Sequence, residues 1–192
     1  MLYINQRDYP DMHYPHNADN NYQPPEGQNI AKAGCGLCSA CMVVDQLTTQ
    51  KLGLEECIEL SVANKANTRP GTSMVVLGPV VAEKFGLKFS YTSDKEAMLA
   101  CLRRGGRVIV NVANRPDGTR GLFTKRGHYM VLIAADGERI CFLDPYYGPE
   151  YNEGELKEKV DSSRAPVLYC DADLLHRESA NREKRYYLFE RV

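Results

Sequence analysis

The chain has 192 residues, a formal net charge of −1, and 43% hydrophobic and 26% charged residues. That balance is typical of a globular chain long enough to bury a core. It excludes a strongly basic nucleic-acid binder, since no Lys/Arg run is dense enough. It also excludes a membrane-spanning helix, since no apolar run approaches the roughly 18 residues required.

Residues 1–34 are polar and rich in Asn, Tyr and Pro, and read as an ordered arm or loop rather than a core element. The opening "MLYINQRDYPDMHYP" lacks a basic region followed by an apolar core. No secretory signal is expected, and the location expected is cytoplasmic; a secreted chain already trimmed of its leader would read the same way.

From Gly36 to about Thr49, apolar residues at 38, 41, 42, 44 and 47 predict a buried helix. The stretch "GLEECIELSVANKA" predicts a second, amphipathic one. "GTSMVVLGPVVAEKFG" predicts a third, capped by Thr72 or Ser73, stopped by Gly86, and kinked or broken at Pro79. "LKFSY" is a short strand, and Ser93 with Glu96 makes a capping-box pattern for a helix ending at Gly105-Gly106. Beyond that point "RVIVNVA", "HYMVLIAA", "RICFLD" and "RYYLFERV" are all strand-like.

Helices first and strands second predict an α+β fold on an antiparallel sheet rather than βαβ winding. The expected organisation is one domain: an arm at 1–34, a mainly helical half at 35–106, and a mainly antiparallel half at 107–192. There are no internal repeats, low-complexity tracts or linkers.

Seven cysteines is an odd number for a disulfide framework, and Cys57, Cys101 and Cys141 lie in apolar stretches. This usage points to a reducing compartment. Three thiols cluster in "AGCGLCSACM", at Cys35, Cys38 and Cys41. A closed metal site needs four soft ligands, but thiols three residues apart advance about 300° per step and fan around a helix. No nearby fourth Cys or His completes a set, so neither metal nor cofactor is expected. A redox reading of "CGLC" needs the motif after a buried strand, and the upstream "YQPPEGQNIAKAG" is polar and broken by prolines.

A nucleophile needs its thiolate stabilised, and a helix N-terminus supplies that field. Gly34 and Gly36 flank Cys35, allowing a sharp entry into the helix and close approach by a substrate. Cys38 and Cys41 lie one and two turns deeper. The plainer alternative makes Cys35 a third packing thiol.

A partner base separates these options. His13 and His16 lie in the polar arm, and His176 in "DLLHRE" reads as the exposed face of a short helix. His128 opens the strand "HYMVLIAA" after a glycine-bearing segment. In "GHYMVLIAADGERICFLDPYYG", a two-residue Asp136-Gly137 loop sets His128 opposite Pro145. A three-residue loop from Ala135 to Gly137, with a bulge at Gly137, sets His128 opposite Asp144. The second register is preferred, because cross-strand neighbours reach each other and a carboxylate there would orient the imidazole.

Taken together, these segments resemble a known family. "GCGLCSACMVV" is similar to the nucleophile segment of papain-like cysteine peptidases related to the bacteriocin-processing, double-glycine leader peptidases. "GHYMVLIAADGERICFLDP" resembles their histidine–aspartate segment, and "YINQRDYP" the opening of the stand-alone members. The resemblance covers roughly residues 3 to 148. It implies a papain-like fold, Cys35 as nucleophile, His128 as base and Asp144 as orienting acid. It also implies a glutamine donating to the oxyanion, with Gln6 favoured and Gln28 the rival, and the Cys35 N–H as second donor.

Two features depart from the pattern. Leu37 stands where the family has Pro, and no transporter segments accompany the peptidase-like region, so bacteriocin maturation is not implied. Residues 149–192 match no part of the pattern and are expected to shape the substrate cleft. The expected activity is hydrolysis of an amide bond in a peptide or protein substrate through an acyl-enzyme. The rivals are a CxxC thiol–disulfide protein and a catalytically silent binding module on the same fold.

Overall fold

The computed structural model describes residues 1–16, 28–68 and 71–192. After a short 3-10 helix, Gln6–Asp8, come α1 (Ile30–Ala33), α2 (Cys35–Leu47), α3 (Leu54–Ala63) and α4 (Met74–Phe85). Then follow β1 (Leu87–Thr92), α5 (Lys95–Arg103), β2 (Arg107–Ala113), β3 (Gly127–Asp136) and β4 (Arg139–Leu143). The chain finishes with α6 (Gly154–Lys159), β5 (Asp161–Arg164), β6 (Val167–Asp171), α7 (Ala172–Glu178) and β7 (Tyr186–Arg191). None of the described helices is long and apolar enough to cross a membrane.

The seven strands form one antiparallel sheet in the order β1-β7-β2-β3-β4-β6-β5. Its central strands are apolar on both faces, and alternate residues serve different cores. Ile109, Val131, Tyr187 and Phe189 face α2, α3 and α4. Val108, Val110, Met130, Leu132 and Leu188 face α5 and α7. The sheet therefore carries helices on both sides, where the order of elements alone suggested an N-terminal helical layer on one. The α+β class itself holds.

Three local expectations are corrected. Pro79 does not break α4: the helix runs on through it to Phe85 and stops at Gly86 with φ +65°. The ring lies on the exposed side, where water can serve the Val75 carbonyl that proline leaves unpaired. α5 is capped by Asp94, whose carboxylate accepts from the Glu96 N–H at 2.9 Å, so no Ser93–Glu96 box forms. The β3–β4 hairpin adopts neither expected register. It turns at Gly137-Glu138, with Asp136 opposite Arg139 and Gly137 at φ +58°, which is the glycine-first pattern of a II′ turn.

Ile133 is a bulge in β3: Ala134 pairs with Cys141, but Leu132 pairs with Phe142 and Val131 with Leu143. A one-residue slip moves side chains to the other face of a sheet. Continued one step past Leu143, the shifted register sets Asp144 opposite Met130. That is the face His128 occupies, with His128 one diagonal step away. Without the bulge Asp144 would fall opposite Val131 and face away.

Candidate active site

Cys35, His128, Asp144 and Gln6 all line one cleft of about 360 Å³. Cys35 is the first residue of α2, so its N–H is among the four that a helix start leaves without an intrahelical acceptor. The helix can begin that abruptly because both neighbours are glycine. A Cβ on Gly34 would come within 2.6 Å of Ile30, and one on Gly36 within 2.8 Å of Thr72. Cys35 is half-exposed, whereas Cys38 and Cys41 are fully buried. Burial raises the Cys38 thiol well above its ordinary value, so it stays protonated and inert. All seven thiols are free. Leu37 packs wholly inside the core.

His128 is buried at the start of β3, and its Nε2 lies 2.6 Å from Asp144 Oδ1. The Cys35 thiol lines the same cleft and contributes to the electrostatics of the ring; with Nε2 given to Asp144, Nδ1 is the nitrogen left for the thiol. Burial alone would lower the His128 pKa. The charge and hydrogen bond of Asp144, joined by Cys35, outweigh it and raise the value instead.

Asp144 is likewise buried, which pushes its carboxyl upward, but the His128 charge and three donors hold it below its ordinary range. Those donors are His128, the Tyr146 N–H at 2.7 Å, and the Tyr151 hydroxyl on Oδ2. With each group favouring the charged form of the other, the pair can hold an imidazolium beside the thiol.

The N-terminal arm folds back over this site. The Gln6 N–H donates to Pro145 O at 2.7 Å, Tyr3 Oη to Asp144 O at 2.8 Å, and Asn5 Nδ2 to Tyr147 O at 2.9 Å. Arg7 is ion-paired with Glu150, and its guanidinium sits 3.7 Å over the Tyr146 ring. That ring in turn meets His128 edge-on at 6.2 Å.

Gln6 is buried, and its Nε2 donates to Ala31 O at 3.0 Å and Ile30 O at 3.3 Å, just ahead of Cys35. A side-chain amide has two N–H hydrogens. The one on the longer Ile30 contact is the more readily redirected toward a new acceptor in the cleft. Gln28 does not line the cleft; its Oε1 accepts from the His16 N–H at 3.3 Å.

Sequence reading missed several of these partners. Tyr151 stands in "DPYYGPEYN", where nothing in the pattern singles out one tyrosine among three. His176 is not an exposed helix face: its Nδ1 lies 2.9 Å from Tyr186 Oη and the two rings stack. Among the described residues no three His, Cys, Asp or Glu side chains gather as a metal site would need.

A helix-start thiol set against a histidine–carboxylate pair on an antiparallel sheet defines the papain-like architecture. Solved structures share the fold. The peptidase domain of Streptococcus ComA, a bi-functional ABC transporter involved in a quorum-sensing pathway, superposes with a TM-score of 0.52 at 14% identity, over 82% of this chain and 91% of that one. A Bacillus anthracis protein named as a C39-like peptidase superposes with a TM-score of 0.58 at 12% identity, over 100% of this chain and 94% of that one. At these identities the likeness is one of fold. No family profile matches the chain, and no curated protein matches it.

Proposed function

We propose that the protein is a papain-like cysteine peptidase that hydrolyses an amide bond through a Cys35 acyl-enzyme. The observation that carries this reading is the gathering of Cys35, His128 and Asp144 in one open cleft, with His128 Nε2 2.6 Å from Asp144 Oδ1 and its other ring nitrogen left for the thiol.

His128 takes the Cys35 proton through Nδ1, and Asp144 holds the imidazolium through Nε2. The sulfur adds to the scissile carbonyl. The oxyanion is met by the Cys35 N–H at the start of α2 and by Gln6 Nε2 swung from Ile30 O. His128 returns the proton to the departing amine, and the thioester forms. Water, deprotonated by the same imidazole, then releases the acid and regenerates the thiol.

A C35–C38 redox couple fits less well, because Cys38 is sealed in the core while Cys35 faces the cleft. The chemistry is tested with a proteome-derived peptide library. New termini should appear with the wild-type protein and vanish with Cys35→Ser. An uncut library, together with a reversible loss of two hydrogens on oxidation, would favour the redox alternative.

A further inference from the structure

Besides the reacting groups, the cleft is walled by α1 and by residues 114–126, the long β2–β3 connection. From α1 comes Lys32, and from the connection come Arg120 and Lys125. None of the three has an ion-pair partner among the described residues. Two carboxylates line the same space, Asp144 and Glu150. Asp144 is buried against His128, and Glu150 is neutralised by Arg7. Among the described residues the cleft therefore presents three free cations and no free anion, on a chain whose formal net charge is −1. The excess is local and is not inherited from the composition.

The wall that carries two of these charges is anchored. Glu178 of α7 is buried, and its carboxylate accepts from the Leu122 N–H at 2.5 Å and from Arg115 Nε at 3.4 Å. Arg182 Nη2 donates to Arg126 O at 3.0 Å. Gly121 lies so close to Ala113 O that an added Cβ would come within 2.1 Å. Arg120 and Lys125 are thus held at the cleft by a packed loop.

We infer that this site, read as a peptidase cleft, selects acidic peptide: Asp or Glu side chains within about three residues of the scissile bond. A concave site lined by one sign of charge concentrates ligands of the opposite sign. Two lysines and one arginine, Lys32 on α1 and Arg120 and Lys125 five residues apart on the β2–β3 connection, act as distributed point charges. The chemistry fitted is therefore several carboxylates spread along an extended chain.

The sequences around the bonds cut in the peptide library test this directly. Asp and Glu should be enriched near the cleaved bonds in the wild-type profile, and the enrichment should fade at high salt as screening shortens the field. Arg120→Glu/Lys125→Glu should lower cleavage of acidic sites by about tenfold, the size expected when two exposed charges at one site are reversed, and favour Lys- and Arg-flanked sites. Arg120→Gln/Lys125→Gln should weaken the preference to what Lys32 alone supports, without inverting it. Cuts that depend on Cys35 but show no acidic enrichment would overturn the charge selection and leave the peptidase reading standing. Failure of the library to be cut at all would overturn both.

Discussion

Cys35 opens α2 in the cleft that His128 also lines, partly buried, while Cys38, three residues on, is sealed in the core with its thiol held protonated by burial. The two share a helix, a side-chain type and a sequence neighbourhood. What separates them is the start of the helix, where backbone N–H groups and the helix dipole favour negative charge, and the turn of about 300° that carries the second thiol inward. On the proposed reading, reactivity in this cluster follows from position.

The comparison can be broken at several points. Cys35→Ser should cost the largest factor, roughly 10⁴ or more in turnover, as removal of a nucleophile does. Circular dichroism should show an unchanged fold. Asp144→Asn should lower kcat by about 10²–10⁴, since the ring loses the carboxylate that orients and stabilises it. Retention of most activity would mean that His128 acts without its partner. Gln6→Ala should cost about 10²–10³ in kcat and leave alkylation of Cys35 by iodoacetamide nearly unchanged, because alkylation develops no oxyanion. Gln28→Ala should have a mild effect. If Gln28→Ala is the crippled variant, the arm's position over Cys35 is unrelated to turnover.

Smaller effects sharpen the same contrast. The Tyr151 hydroxyl stabilises ionised Asp144, so Tyr151→Phe should raise the carboxyl toward its ordinary range. Because a depressed carboxylate is lost as pH falls through its folded value, the acid limb of kcat/KM should move up, by about one unit for one charge-assisted hydrogen bond. A purely structural Tyr151 would change protein yield and leave the limb in place. Cys38→Ser should cost about 1–3 kcal/mol of stability through an unsatisfied buried hydroxyl, with activity per folded molecule unchanged. Denaturant unfolding alongside active-site titration separates the two.

How much of this was legible follows from how local each signal is. α2, α3, α4 and the strands β1 to β4 and β7 rest on short-range periodicity, and Cys35, His128 and Asp144 each stand at the end of such an element. Their meeting was expected from the hairpin, yet the stated register was off. The bulge falls at Ile133 rather than at the turn, and the contact is diagonal rather than directly opposite. Both arrangements put Asp144 on the face of His128, so the juxtaposition came through although its cause was misplaced. A bulge inside an unbroken apolar run leaves no compositional trace.

Within residues 149–192 the helix of "DLLHRE" and the strand of "RYYLFERV" were legible as α7 and β7, but β5, β6 and the long-range contacts were not. Tyr151 on Asp144, Glu150 on Arg7 and Glu178 on the β2–β3 connection are long-range pairings between common residue types. Only the folded topology selects them.

The most direct test of the Cys35–His128 relationship is competitive alkylation. Wild type and His128→Ala are treated with limiting iodoacetamide at neutral pH, and the label on each of the seven thiols is quantified by peptide mass spectrometry. In the wild type nearly all label should fall on Cys35, and His128→Ala should slow that site by at least about tenfold, the lower end of what loss of an activating base costs, while the other six stay slow. Label shared with Cys38, or a Cys35 rate indifferent to His128, would contradict it.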